Sequence, residues 1–294
     1  MALALARDLA LRGLRPALLA YRLGPGDGSG TDPIEVGPDS DWRATSEEAV
    51  LLRRESGLRV FATRDRARAW QRLASLADGA GGEAAFDILI SDDGFQDPRL
   101  DGAFRILLMA PGENPGLFDL LPGGAFRETA SARARADLVL EGPWSAPAPR
   151  IPDEPGTVTD KLPNASRFYR RLVLPAGLDP VQPCIIHCAL GDNRHFLADL
   201  GRAGIRAVAV VTGRNHGPAP LELLRAAAAR HSGAPILCTR KEAIKLDGIA
   251  HLRIQPVDQN VLVPDFVIRH ILECCARART APMPGAVLFS KDRN

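Results

Sequence analysis

The sequence is poor in the features that would place it in a specialised class. Its 294 residues include only five cysteines, Cys184, Cys188, Cys238, Cys274 and Cys275, and none forms a C-x-x-C pair. An odd, sparse set of this kind argues against a disulfide framework, so no disulfide partner is expected, and it fits a reduced, cytoplasmic chain. Aromatic residues make up 5% and do not interleave with the scattered arginines, and the formal net charge is only +2. Both facts argue against a nucleic-acid surface. No apolar run reaches the roughly 18 residues of a membrane-crossing helix. The first ten residues are apolar but carry Arg7 and Asp8 and lack a basic start, unlike a signal peptide. No internal repeat is present.

What is there reads as an α/β protein. The chain is 46% hydrophobic and 24% charged, and its length suits one large or two ordinary domains of about 100–200 residues each. Residues 2–12 read as an alanine- and leucine-rich helix ended by Gly13, and Pro16 to Tyr21 as a short apolar strand. A loop is predicted over 24–37. Helices follow over 46–56 and 64–76, and strands over 58–62, 88–91 and 104–109. The alternation indicates a mostly parallel sheet covered by helices. A proline-rich stretch over 142–164 predicts a linker. A strand over 168–174 and a second α/β series beginning at Cys184 follow it. Cys184 and Cys188 flank His187 in an apolar run and read as core thiols. The expected division is 1–140, a linker over 141–180, and a smaller α/β domain over 181–294.

The chemistry concentrates in Asp87-Ile88-Leu89-Ile90-Ser91-Asp92-Asp93-Gly94-Phe95-Gln96. A buried parallel strand that ends in two carboxylates delivers them to the carboxyl edge of the sheet, where ligands bind. An acid at that place in a nucleotide enzyme holds Mg²⁺. The plainer reading is a strand followed by an Asp-Gly turn.

Three motifs in order resemble the tetraacyldisaccharide 4'-kinase family, over residues 1 to about 270. Asp92-Asp93-Gly94-Phe95-Gln96 resembles its D-D-G-[FL]-Q-H, with Asp97 in place of His. Leu120-Leu121-Pro122-Gly123-Gly124-Ala125-Phe126-Arg127-Glu128 matches L-L-P-x-G-x-x-R-E, and Thr239 to Leu246 resembles T-E-K-D-A-V-[KR]-L. The resemblance implies a P-loop-like domain and a smaller α/β domain joined by a β linker. It implies transfer of the γ-phosphate of ATP, with Mg²⁺, to the 4'-hydroxyl of a lipid A disaccharide precursor, at the cytoplasmic surface of the inner membrane. On this reading Asp92 and Asp93 hold the metal and nucleotide, and Gln96, Arg127 and Glu128 bind substrate. Glu47 stands where the family has the acid that deprotonates the sugar, and His216 is its histidine partner.

The departures are equally specific. The family's phosphate loop, G-x-x-x-x-G-K-[ST], precedes the helix that opens this chain, and no such segment occurs in these residues. Its charge-assisted bonds to phosphate are worth about 1.5–3 kcal/mol each, so nucleotide binding is expected to fail without them. Three expectations follow. One is an active lipid kinase whose start lies about 40–50 residues upstream, judged from strand and loop lengths. Another is a degenerate relative that binds a lipid A precursor or a partner without ATP turnover. A generic α/β binding module is the third. A missing inner strand is also expected to leave an unpaired sheet edge. Residues 2–12 are the first candidate for a membrane contact. Plain structural readings stand beside each site residue: Glu47 as a helix-start acid, His216 as a loop histidine, Arg127 with Glu128 as an ion pair, and Lys241 as a solvated lysine.

Overall fold

The computed structural model describes residues 1–22, 33–77, 86–100, 102–145, 167–278 and 285–291. In chain order the elements begin with α1 (Ala2–Leu11), β1 (Pro16–Tyr21), β2 (Ile34–Glu35), α2 (Glu47–Ser56), β3 (Arg59–Thr63), α3 (Arg66–Ala77), β4 (Ile88–Ser91) and β5 (Phe104–Met109). They continue with β6 (Leu138–Ser145), β7 (Arg167–Val173), β8 (Pro183–Cys188), α4 (Arg194–Arg202), β9 (Arg206–Thr212), α5 (Leu221–Arg230) and β10 (Ile236–Thr239). Last come α6 (Arg240–Lys245), β11 (Ile254–Leu262), α7 (Asp265–Ala278) and β12 (Gly285–Lys291). Two compact units result, one of residues 1–170 with 261–294 and one of residues 171–260.

These bounds differ from the expected 1–140, 141–180 and 181–294. The last 34 residues of the sequence return to the first unit, because β12 lies between β4 and β5 and pairs in parallel with both. The first unit's sheet runs β2-β3-β1-β4-β12-β5-β6, and all neighbours are parallel except β2 with β3. The expected open edge is therefore filled: Gly285 to Leu288 pair with Ile88 to Ser91. The loop read over 24–37 and the linker read over 142–164 fall largely outside the described residues.

Local chemistry explains the elements that place the site. Ala17, Leu18, Leu19 and Ala20 of β1 and Ile88 to Ile90 of β4 are buried on both faces, as inner parallel strands require. In α1, Ala2, Leu5, Ala6 and Leu9 form the buried stripe, so this helix covers the sheet. Helix α2 starts at Ser46, whose hydroxyl accepts from the Ala49 N–H at 3.1 Å, and stops at Gly57 in the left-handed region at φ 69°. The second unit is a parallel sheet in the order β9-β8-β10-β11. Its core packs Cys184, Ile186 and Leu237 against Phe196 and Leu200 of α4.

Candidate active site

The carboxyl ends of β1, β3 and β4 lie side by side in the first unit. Tyr21 pairs in register with Thr63, and Leu19 with Ser91. Beyond Ser91 the chain turns, and the Asp92 N–H donates to the Leu19 carbonyl at 3.0 Å. Asp93 sits at φ 56°, a left-handed conformation that Asp tolerates better than most residues. That turn carries its carboxylate toward Arg127, whose Nη1 donates to Oδ1 at 2.7 Å and to Oδ2 at 2.8 Å. Arg127 comes from the rigid turn after β5. There the Phe126 N–H donates to the Asp119 carbonyl and the Leu121 N–H to the Phe126 carbonyl. Gly124 has no room for a side chain, since a Cβ would run into the Asp119 carbonyl.

A second cation underlies the acids. Arg66, the first residue of α3, donates from Nη2 to the Asp92 carbonyl at 3.0 Å, and its guanidinium lies 5.1 Å from the Tyr21 ring centroid. Burial lowers its pKa, and the charges of Asp93 and Asp92 oppose that. Its Nε is buried without a hydrogen-bond partner among the described residues. The sequence reading missed Arg66 because it stands among many scattered arginines. The available signal was its place: a cation at a helix N-terminus opposes the dipole, so something must hold it there. Arg22 was missed as well. It is buried at the end of β1, and its Nε donates to the Ala44 carbonyl at 2.9 Å, tying the loop before α2 to this edge.

The expected residues distribute unevenly. Asp93 and Arg127 come together at the β4 edge, and Asp92 and Gln96 belong to the same turn as Asp93. Phe95 between them is buried against Leu107, Met109 and Ala132, which anchors the turn. Glu128 points elsewhere, into an ion pair with Arg135. Glu47 is buried, 1% exposed, in the first turn of α2. Asp97, standing in the family's His position, accepts from Arg99 Nε at 2.9 Å and Nη2 at 2.8 Å, and this bond holds its carboxyl below the usual range. His216 lies in the second unit, on the loop after β9, exposed and at φ 59°.

The donor set suits a hard cation in part. The Asp92 carboxylate has no hydrogen-bond partner among the described residues, whereas both oxygens of Asp93 are engaged by Arg127. Mg²⁺ takes one or two carboxylates and completes its shell with water and phosphate oxygens. Two adjacent acids fit that habit, with Arg127 competing for the second. Among the described residues no group of three or more His, Cys, Asp or Glu side chains gathers into a cage made of protein alone. No described helix is long and apolar enough to cross a membrane.

Comparison with known proteins supplies the family. Residues 1–274 match the family model described as tetraacyldisaccharide-1-P 4'-kinase. The chain is 33% identical over 153 residues to tetraacyldisaccharide 4'-kinase of Chromobacterium violaceum, covering 52% of this chain and 42% of that one. It is 30% identical over 267 residues to the enzyme of that name from Gluconacetobacter diazotrophicus, covering 88% and 74%. With that of Alkalilimnicola ehrlichii it shares 29% over 251 residues, covering 85% and 69%. The chain thus spans less than half of the first relative and about 70% of the other two. A crystal structure of LpxK from Aquifex aeolicus in complex with ATP has a similar fold, with TM-score 0.60 and 20% identity, covering 93% of this chain and 84% of that one.

Proposed function

The chain belongs to the tetraacyldisaccharide 4'-kinase family, and on that premise we propose that it takes part in transferring the γ-phosphoryl group of ATP to the 4'-hydroxyl of a tetraacylated glucosamine disaccharide 1-phosphate. The observation that carries this is the β4 edge, where the Asp93 carboxylate meets the Arg127 guanidinium and the half-buried Arg66 holds the carbonyl of the adjacent acid, Asp92. Phosphoryl transfer needs little covalent work from a protein, so positioned charge does most of the catalysis.

In this reading Asp92 and Asp93 hold Mg²⁺, which when bound neutralises charge on the nucleotide's phosphate oxygens. Arg127 keeps Asp93 in place and presents a cation to an incoming phosphate. Arg66 braces the Asp92 backbone and adds positive charge at the same edge. Glu47, in the first turn of α2, accepts the proton of the sugar hydroxyl. The resemblance assigns His216 to the same reaction. Gln96 and Glu128 complete the acceptor side, Glu128 through its pair with Arg135. An amphiphilic acceptor implies work at the cytoplasmic surface of the inner membrane.

Calorimetry tests the metal and nucleotide part. The protein is made from its gene with the upstream sequence kept, so that any residues ahead of Met1 are included. ATP is expected to bind saturably with Mg²⁺ and at least tenfold more weakly without it, and Asp92→Asn should abolish the difference. Equal binding with and without Mg²⁺ would overturn the assignment of Asp92.

A further inference from the structure

The second unit buries three charged or titratable side chains that the proposed reaction does not use. His187 on β8 and Glu242 on α6 are completely buried, and the Lys245 side chain is fully enclosed beside them. Lys245 Nζ donates to Glu242 Oε1 at 3.0 Å, and His187 Nε2 lies 3.4 Å from Glu242 Oε2. His187 Nδ1 is 2.9 Å from the Val211 carbonyl oxygen. A carbonyl only accepts, so Nδ1 carries a proton. Burying ionised groups is unfavourable unless each is paired, so the cluster needs a reason to persist.

Its neighbours supply one. The loop bearing His216 is tied to His187 and β8 at its entry and to α6 at its tip. At the entry, Val211 accepts from His187, and the Gly213 N–H donates to the Cys188 carbonyl at 3.0 Å. Gly213 is packed so tightly that a Cβ would lie 3.1 Å from Ala189 Cβ and 3.5 Å from His187 Cε1. At the tip, Lys241 Nζ donates to Asn215 Oδ1 at 2.9 Å. Lys241 precedes Glu242 on α6, whose N-cap is the Thr239 hydroxyl. Immediately after the Asn215 anchor, His216 is held at φ 59°, where a non-glycine side chain is strained. An open cleft of about 540 Å³ runs along the same loop, lined by Thr212, Gly213, Arg214, Pro218 and Pro220.

We infer that Lys241 is a positioning residue for His216, aimed at Asn215 by the buried Glu242–Lys245–His187 cluster beneath it. The inference rests on the reading that gives His216 a part in the reaction, but its geometry can be tested without turnover. Glu242 and Lys245 fix α6, α6 fixes the Lys241 amine, and the amine holds Asn215 so that the strained backbone at His216 keeps one conformation. The bond from the Gly213 N–H to the Cys188 carbonyl keeps the loop from sliding along β9.

The test uses histidine 13Cε1 NMR, with the six ring signals assigned by single His→Gln variants. Lys241→Met and Asn215→Ala lie at the rim and should leave the fold intact. Both are expected to move the His216 signal by at least 0.1 ppm in the proton dimension while those of His195 and His231 stay in place. Lys241→Arg, which keeps a donor, should restore most of the shift. In phosphotransfer assays the same two variants should lower kcat about tenfold and leave KM for ATP within twofold. An unmoved His216 signal in both variants would overturn the inference, whether or not the protein turns over lipid. A moved signal with no turnover by the parent protein would uphold the positioning and count against the reaction alone.

Discussion

Asp93 and Asp97 sit four residues apart in one turn and serve different ends. Asp93 reaches Arg127 from a left-handed backbone, whereas Asp97 is clamped by Arg99 at the surface. The sequence showed Asp92, Asp93 and Arg127 as members of two separate motifs, and the fold joins them. Arg66 and Glu128's partner Arg135 were not legible, since nothing in the spacing of scattered arginines says which carboxylate each will meet. Arg127→Ala should reduce phosphotransfer on the order of 10²–10³-fold, as loss of one preorganised charge at a reacting centre does. It should change the urea midpoint little, because the pair is half exposed. Glu242→Ala should destabilise the protein by about 3–5 kcal/mol, because Lys245 would be left as an unpaired buried charge. Urea titration reads that directly. The thiols divide as well. Burial, and then the Glu242 charge, push Cys238 up to about 12, and burial raises Cys184 and Cys188. At pH 8 these three are thiols rather than thiolates, so they should resist iodoacetamide in the native protein. Cys274 and Cys275 are only partly buried and should label first, with all five labelling in urea.

Elements with a local signature were legible in the sequence, and those defined by distant partners were not. β1, β4 and β8 are short apolar runs, and α2 opens with the acids Glu47 and Glu48, so each was read within two residues. β11 was missed because Gln255, Asp258, Gln259 and Asn260 interrupt any apolar run, and β6 because it contains Gly142 and Pro143. β12 was missed because its assignment depends on β4 and β5, which lie far away in sequence. Ser46→Ala should cost about 1 kcal/mol in thermal or urea unfolding by removing the α2 cap. Deleting residues 279–294 should be far worse. It takes a strand from the middle of the sheet and leaves β4 and β5 with unpaired edges. Aggregation or a lost cooperative melt is expected, and an unchanged melting curve would contradict the placement of β12.

At the scale of the whole molecule, charge is nearly balanced and stability depends on how carboxylates are held. Glu35 is kept low by its bond from Arg59, Asp97 by Arg99, and Asp192 by Arg194, the last down to about 2. Each folded value lies below the unfolded one, so this stabilisation is complete above about pH 4.5 and is lost as the pH falls toward 2. Asp8, raised by burial, acts in the opposite sense. The urea midpoint should therefore be lower at pH 3 than at pH 7. The fold class was visible in the alternation of strands and helices, while the return of the chain's end to the first unit was not. The central claim is that the β4 edge serves a lipid kinase. Its most direct measurement incubates the protein, made from its gene with upstream sequence, with γ-³²P-labelled ATP, Mg²⁺ and detergent-dispersed tetraacyldisaccharide 1-phosphate. The account predicts label at the 4' position of the lipid and at least a 100-fold loss in Asp92→Asn. A folded protein that leaves the lipid unlabelled would contradict it.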